Sequence, residues 1–270
     1  LFIMARSNLV KNTTHFSNGV SNIGAGYEDH PMKNMGLLDP THQYYMYFND
    51  FFEYHADEWT ITTTEGGSGA ATEALTSLSG GALLITNDDA DNDADFFQLK
   101  GESFKLNTSN PFFFKARLKV SDATQSDWVM GLQITDTTPL AVTDGIYFRK
   151  DDGDTDIDFS IMKDSTDSGS SAIATCGTDM MTVAFVYTPP GFAPSEYADT
   201  IRAFVTTGST NGTESVDYLV PAKVYTGASS LSGFCDDEEL TISFGIQNGA
   251  AAAKTMTIDY VLAAVNANRG

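Results

Sequence analysis

Two aspartate-rich runs are the first residues of this chain whose types and spacing invite chemistry. One is Asp88-Asp89-Ala90-Asp91-Asn92-Asp93-Ala94-Asp95, and the other is Asp151-Asp152-Gly153-Asp154-Thr155-Asp156-Ile157-Asp158. Carboxylates at alternate positions suit a hard cation. Asp89, Asp91, Asp93 and Asp95, with Asp152, Asp154 and Asp156, are therefore the candidate calcium ligands. Neither run fits the EF-hand calcium loop. Counted from Asp91, the glycine position is Phe96, although Glu102 stands at the twelfth place; counted from Asp152, the final place is Lys163. We read both runs as solvated turn carboxylates, with no cofactor expected and calcium as the one ion their pattern admits.

Other catalytic constellations are missing. No HExxH, GxSxG or GxxxxGK[ST] occurs, nor a Glu-x-Asp-x-x-Glu strand that would set two carboxylates on one face for retaining glycoside hydrolysis. Gln133-Ile134-Thr135 resembles the Gln-Ile-His strand of alginate-lyase-like folds but lacks the histidine that would move the proton. His55 stands alone in the body of the chain, because His15, His30 and His42 all precede residue 44. Cys176 and Cys235 fit no metal or redox spacing and read as two isolated buried thiols. An enzyme is not expected.

Charge narrows the partners. Thirty-six acidic residues against 15 basic give a net charge of −21, which excludes nucleic-acid binding by phosphate neutralisation. The acids are 26 Asp and only 10 Glu, and aspartate favours turns where glutamate favours helices. No apolar run approaches the about 18 residues of a membrane helix. The beginning of the chain has no hydrophobic stretch of secretory length, so no secretory signal is expected there.

The elements that must position these residues are strands. In Phe112-Phe113-Phe114-Lys115-Ala116-Arg117-Leu118-Lys119-Val120 the odd positions are basic or aromatic and the even ones apolar, a period of two. Trp128, Met130, Leu132 and Ile134 alternate likewise, as do Ile146 and Phe148, then Ile157, Phe159 and Ile161 beyond the turn at Asp151-Asp152-Gly153-Asp154. Further strands are expected over 59–63, 83–87, 95–100, 181–187, 201–206, 240–247 and 255–261. Residues 65–71 and 164–171 read as flexible loops. Trp59, Trp128 and the pairs Phe51-Phe52 and Phe96-Phe97 read as core rather than as a sugar-stacking platform, whereas Tyr44, Tyr45 and Tyr47 are candidates to face a partner. The fold class is all-β: an antiparallel two-sheet sandwich of about ten to twelve strands, a jelly roll over residues 44–270.

Residues 1–43 differ in kind. They are neutral, rich in turn residues and without period, so the entire net charge lies in 44–270. Yet Phe16, Ile23, Tyr27, Met32, Met35, Leu37 and Leu38 are too apolar for a solvated tail, and we read them as an extended arm that docks on a partner.

With its strands assembled, the chain resembles the concanavalin A/laminin G-like jelly rolls found among structural proteins of tailed, particularly marine, bacteriophages. The residues behind the resemblance are Trp59, Gly80-Gly81-Ala82-Leu83-Leu84-Ile85, Phe96-Phe97, residues 114–120, Trp128-Val129-Met130-Gly131-Leu132, Gly145-Ile146-Tyr147-Phe148-Arg149-Lys150, Phe244-Gly245-Ile246-Gln247-Asn248-Gly249 and Met256-Thr257-Ile258-Asp259-Tyr260-Val261. It implies a capsid cement or decoration protein on the virion exterior, bound to the major capsid protein and to itself as a dimer or, in preference, a trimer. Neither nucleic acid nor membrane is an expected partner. A lectin-like adhesin or tail-fibre module is the main competing expectation, and a secreted polysaccharide-active enzyme the third.

Overall fold

The computed structural model describes residues 44–191, 195–208, 216 and 220–266. The seven arm residues named above lie outside them.

Strand β7 (Phe112–Val120) shows why this sequence builds sheets. Successive side chains of a strand point to opposite faces. Phe112, Phe114, Ala116, Leu118 and Val120 enter the main core, while Lys119 on the other face is exposed. The first sheet runs β15 (Lys223–Thr226), β14 (Thr200–Thr206), β13 (Met181–Thr188), β7, β17 (Thr255–Asn266), β4 (Leu83–Thr86) and β3 (Thr72–Leu75), with β1 (Tyr44–Asn49) paired to β17. The second runs β11 (Thr166–Asp167), β10 (Asp156–Lys163), β9 (Gly145–Lys150), β8 (Ser126–Gln133), β16 (Glu239–Asn248), β5 (Ala94–Leu99) and β2 (Trp59–Thr64). β12 (Ser170–Thr175) pairs with β10, and β6 (Phe104–Lys105) with β16. All pairings are antiparallel.

One core fills the space between the sheets. Phe185 of β13 stands at its centre, with the rings of Phe112, Phe114, Phe148 and Phe159 at 6.0, 5.2, 6.2 and 5.5 Å between centroids. A second aromatic group joins Trp59, Phe97 and Phe244, Trp59 and Phe244 at 4.9 Å. The inward order on β17 is Met256 and Ile258, then Val261, Ala263 and Val265. A register shift between Ile258 and Tyr260 changes the parity, as a bulge does.

Several expectations are corrected here. Seventeen strands stand among the described residues, not ten to twelve. The segment 164–171 is not a bare loop, because β11 and the start of β12 lie in it and pair with β10. Tyr45 and Tyr47 are half-buried and pack onto the core, Tyr47 edge-on to Trp59 at 6.3 Å. Phe51, Phe97, Trp59 and Trp128 are core as expected, but Phe52 is 76% exposed. Both cysteines are free and buried. The only helices among the described residues are single 3-10 turns, and none is long and apolar enough to cross a membrane.

The β7–β8 and β16–β17 turns are tied by one carboxylate. Asp122 accepts the backbone N–H groups of Thr124 and Gln125 at 2.9 Å each and the Lys254 ammonium at 2.8 Å. These bonds, Gln125 foremost, hold its carboxyl down to about 2, below its ordinary 3.8. A carboxyl lowered by folding stabilises above its unfolded value, and that stability is lost as pH falls through the folded one. Asp122→Asn is therefore expected to lower the melting temperature at neutral pH and to flatten the acid loss between roughly pH 4 and pH 2, as read by thermal denaturation across pH.

Candidate functional site

Part of the outward face of the second sheet is covered by the chain itself. Ala94, Phe96, Val129, Val142 and Tyr147 form a small second core there, with Ile134, Leu140 and Met162 packed against it. The cover is the segment 134–144, which turns through Pro139–Ala141. Polar side chains of the sheet latch it down. Gln98 donates to the Ile134 carbonyl at 2.9 Å and to Ser243 Oγ at 3.1 Å, and accepts the Asp136 N–H at 2.9 Å. Gln133 donates to the Pro139 carbonyl at 2.9 Å. Two glycines make room for the rings beneath the strap. A Cβ on Gly131 would lie 2.5 Å from Tyr147 Cα, and one on Gly245 would lie 2.5 Å from the Phe96 ring. The middle of the face, from Val129 and Gly131 to Ser243, Gly245 and Tyr147, carries no carboxylate. Truncating Gln98 to alanine strands one buried and two part-buried polar groups at a cost of about 1–3 kcal/mol. The expected result is that proteolysis within 134–144 becomes faster while the all-β far-UV spectrum stays unchanged.

Beside the strap a polar cup remains open. Arg149, Asp158, Ser160, Asp167, Ser170 and Ser171 line a cavity of ≈ 250 Å³ at the β9–β10–β12 edge. Arg149 pairs with Asp151. Asp158 accepts the Ala172 N–H at 2.7 Å, and burial raises its carboxyl while Ala172 and Arg149 draw it back. Asp167 accepts from Ile161 at 3.0 Å and Gly169 at 2.7 Å. The one ring among its lining residues, Phe159, is 0% exposed. The cup offers hydrogen bonds without a face to stack on.

The acidic runs divide. Asp89, Asp91, Asp152, Asp154 and Asp156 are exposed, as solvated turn residues should be. Asp93 and Asp95 are not: both are buried, which corrects their reading as solvated. Asp93 accepts the N–H groups of Gly66 at 2.5 Å and Ala90 at 2.9 Å. Asp95 faces inward on β5 and accepts the Thr63 hydroxyl at 2.6 Å. Burial pushes its carboxyl up to about 6, Thr63 pulls it back, and Glu73 and Glu65 push it further. The structure brings Asp93 together with Glu65 and Asp88, whose carboxylate oxygens all lie within 4.8 Å of one another. Sequence reasoning did not include Glu65 or Asp88. The available signal was Gly66-Gly67-Ser68-Gly69 directly after Glu65, small residues that permit close backbone approach.

No protein family and no curated protein matches the chain. Solved structures do match. An endo-1,3-β-glucanase from Streptomyces sioyaensis is 13% identical with a TM-score of 0.53, over 82% of this chain and 96% of its own. A Shewanella oneidensis MR-1 protein of unknown function is 14% identical with a TM-score of 0.52, over 83% and 87%. The fold is a concanavalin A-like jelly roll. A Bacteroides ovatus mixed-linkage-glucan GH16 protein, captured with a product, is 12% identical with a TM-score of 0.50, over 80% and 98%. At such identities the likeness is one of fold.

Proposed function

We propose that this chain is a non-catalytic structural protein of a virion, a cement or decoration protein bound to the outside of the major capsid shell. The observation that supports the non-catalytic half is the strap over 134–144, which lays Leu140 and Val142 over part of the outward face of the second sheet. The capsid half rests on the sequence resemblance and on charge. A neutral, apolar-studded arm is suited to docking, and a body carrying the whole −21 is suited to facing solvent. Phe48 and Phe52, which follow the arm in the chain, are 53% and 76% exposed. In this reading the chain assembles in the host cytoplasm as a homo-oligomer, a trimer in preference to a dimer.

A carbohydrate-binding adhesin is the second reading, favoured by the polar cup around Arg149 and Asp158. It is the weaker one because sugar sites commonly join hydrogen-bonding groups to an accessible ring, and the ring that lines the cup, Phe159, is buried. The test is a glycan array and a reducing-end assay on β-glucans, run beside co-sedimentation with shells lacking the protein. Shell binding without sugar binding or hydrolysis supports the proposal. Reproducible glycan binding abolished by Arg149→Ala moves the function to the adhesin, and hydrolysis overturns the non-catalytic reading.

A further inference from the structure

Asp95 is a carboxyl group inside the sandwich with no counter-charge. It lies on β5 two residues before Phe97, whose ring belongs to the main core, and it is 0% exposed. Oδ1 accepts the Thr63 hydroxyl at 2.6 Å across the β2–β5 pair, and Oδ2 has no hydrogen-bond partner. The groups around it add negative charge. Glu65, just beyond β2, and Glu73, on β3, both act on it through space. Tyr54, ahead of β2, brings a buried hydroxyl that is itself without a partner. On the β16 side the opposite residue is Ile246, which offers nothing polar. Among the described residues no lysine, arginine or histidine forms an ion pair with Asp95, Glu65 or Glu73.

A carboxylate so placed lowers its energy by taking a proton or by reaching water. The second route is open at this edge of the fold. β2 is the last strand of the second sheet and pairs only with β5 among the described residues. Its final residues, Thr63 and Thr64, are exposed, as is the loop 65–70 that follows. That loop is held by single backbone bonds to carboxylates, Gly66 N–H on Asp93, Gly69 N–H on Asp88 and Ala71 N–H on Glu65. The end of an edge strand under an exposed loop opens at the loss of a few bonds, without disturbing the core beyond it.

We propose that Asp95 is a pH-dependent latch on this edge: protonated, it lets the end of β2 and the loop 65–71 close over β5, and ionised, it opens them to water. The direction follows from its surroundings. Burial, the largest influence, pushes the carboxyl up to about 6, Thr63 draws it back, and Glu73 and Glu65 raise it again. The folded value lies above the ordinary 3.8, so the folded chain holds this proton more tightly than the unfolded one. The stability it contributes is whole below about pH 4, is lost as pH rises to about 6, and stays lost above that. Asp122 works in the opposite sense and in a lower window, because its contribution disappears toward acid as its lowered carboxyl is protonated.

The test compares the full chain with its Asp95→Asn variant by thermal denaturation and amide hydrogen exchange, each measured at the same series of pH values from about 4 to 8. The two melting temperatures should nearly coincide at the acid end, and the variant should melt roughly 3–8 °C higher above pH 7. Exchange in β2 and in 65–71 should become faster in the unmodified chain than in the variant over the same rise in pH. Glu73→Gln, outside the core, should move the midpoint of the unmodified chain's loss toward acid. A pH dependence that is identical with and without the Asp95 carboxyl overturns the proposal, and so does an exchange difference spread evenly over the fold. Should Asp95→Asn fail to fold, a carbon-13 NMR titration of the Asp95 carboxyl in the unmodified chain decides: a midpoint above roughly pH 5 supports the latch and one below it overturns the latch.

Discussion

Replacing Phe185 by alanine is expected to cost about 3–5 kcal/mol. Its ring is fully buried and touches four phenylalanines from both sheets, Phe112 and Phe114 on one side and Phe148 and Phe159 on the other. Removing it opens a cavity at a place where the two layers interlock, and β-sheets cannot move together to refill it without sliding their registers. For a domain of this size the melting temperature should fall by roughly 10 °C. Phe185→Leu, which keeps most of the volume, should lose less than half as much. Equal losses in the two variants would mean that this aromatic contact is not what joins the sheets.

Removing residues 1–43 is expected to leave folding nearly intact and to abolish most shell binding. The first described strand, β1, begins at Tyr44, and all six of its pairings are with β17, inside the retained chain. The variant should therefore show the same all-β spectrum and a melting temperature within a few degrees of the full chain. Its affinity for shells should drop at least tenfold, because apolar surface contributes roughly 25 cal/mol per Å² buried and the removed segment carries seven candidate anchors. Fully extended, 43 residues reach ~140–155 Å, enough to pass from one subunit to a neighbour. Light scattering reports whether the oligomer survives, and co-sedimentation reports docking. Undiminished binding would place the docking surface on the sandwich, and failure to fold would make the arm part of its core.

The sequence made the central strands legible because each buries one face and alternates cleanly. β7 runs from Phe112 to Val120 as the pattern of lysines and phenylalanines says it should. Alternation failed where both faces are covered or where the register slips. In β1, Tyr45 and Tyr47 point to the main core and Met46 to a second cluster with Phe113 and Phe204, so the run reads as uniformly apolar. In β17 the bulge after Ile258 breaks the period, and the strand continues to Asn266, beyond where the pattern ends. The strap over the second sheet was hidden for another reason: Gln98 and Gln133 look like ordinary solvent-facing residues until the chain folds back over them. The acidic corner was half legible. Asp93 and Asp95 stood in a visible run, but which aspartates turn inward is decided by the strand phase of β5, and Glu65 reaches them only through the β2–β5 pairing.

The most direct measurement of the proposed structural role is mass spectrometry of virus particles purified from a culture that produces this chain, combined with imaging of the same particles. The account predicts the chain in mature virions in a fixed ratio to the major capsid protein, with its density distributed over the outside of the shell. Absence from the particles, or a location confined to the tail tip, would contradict it.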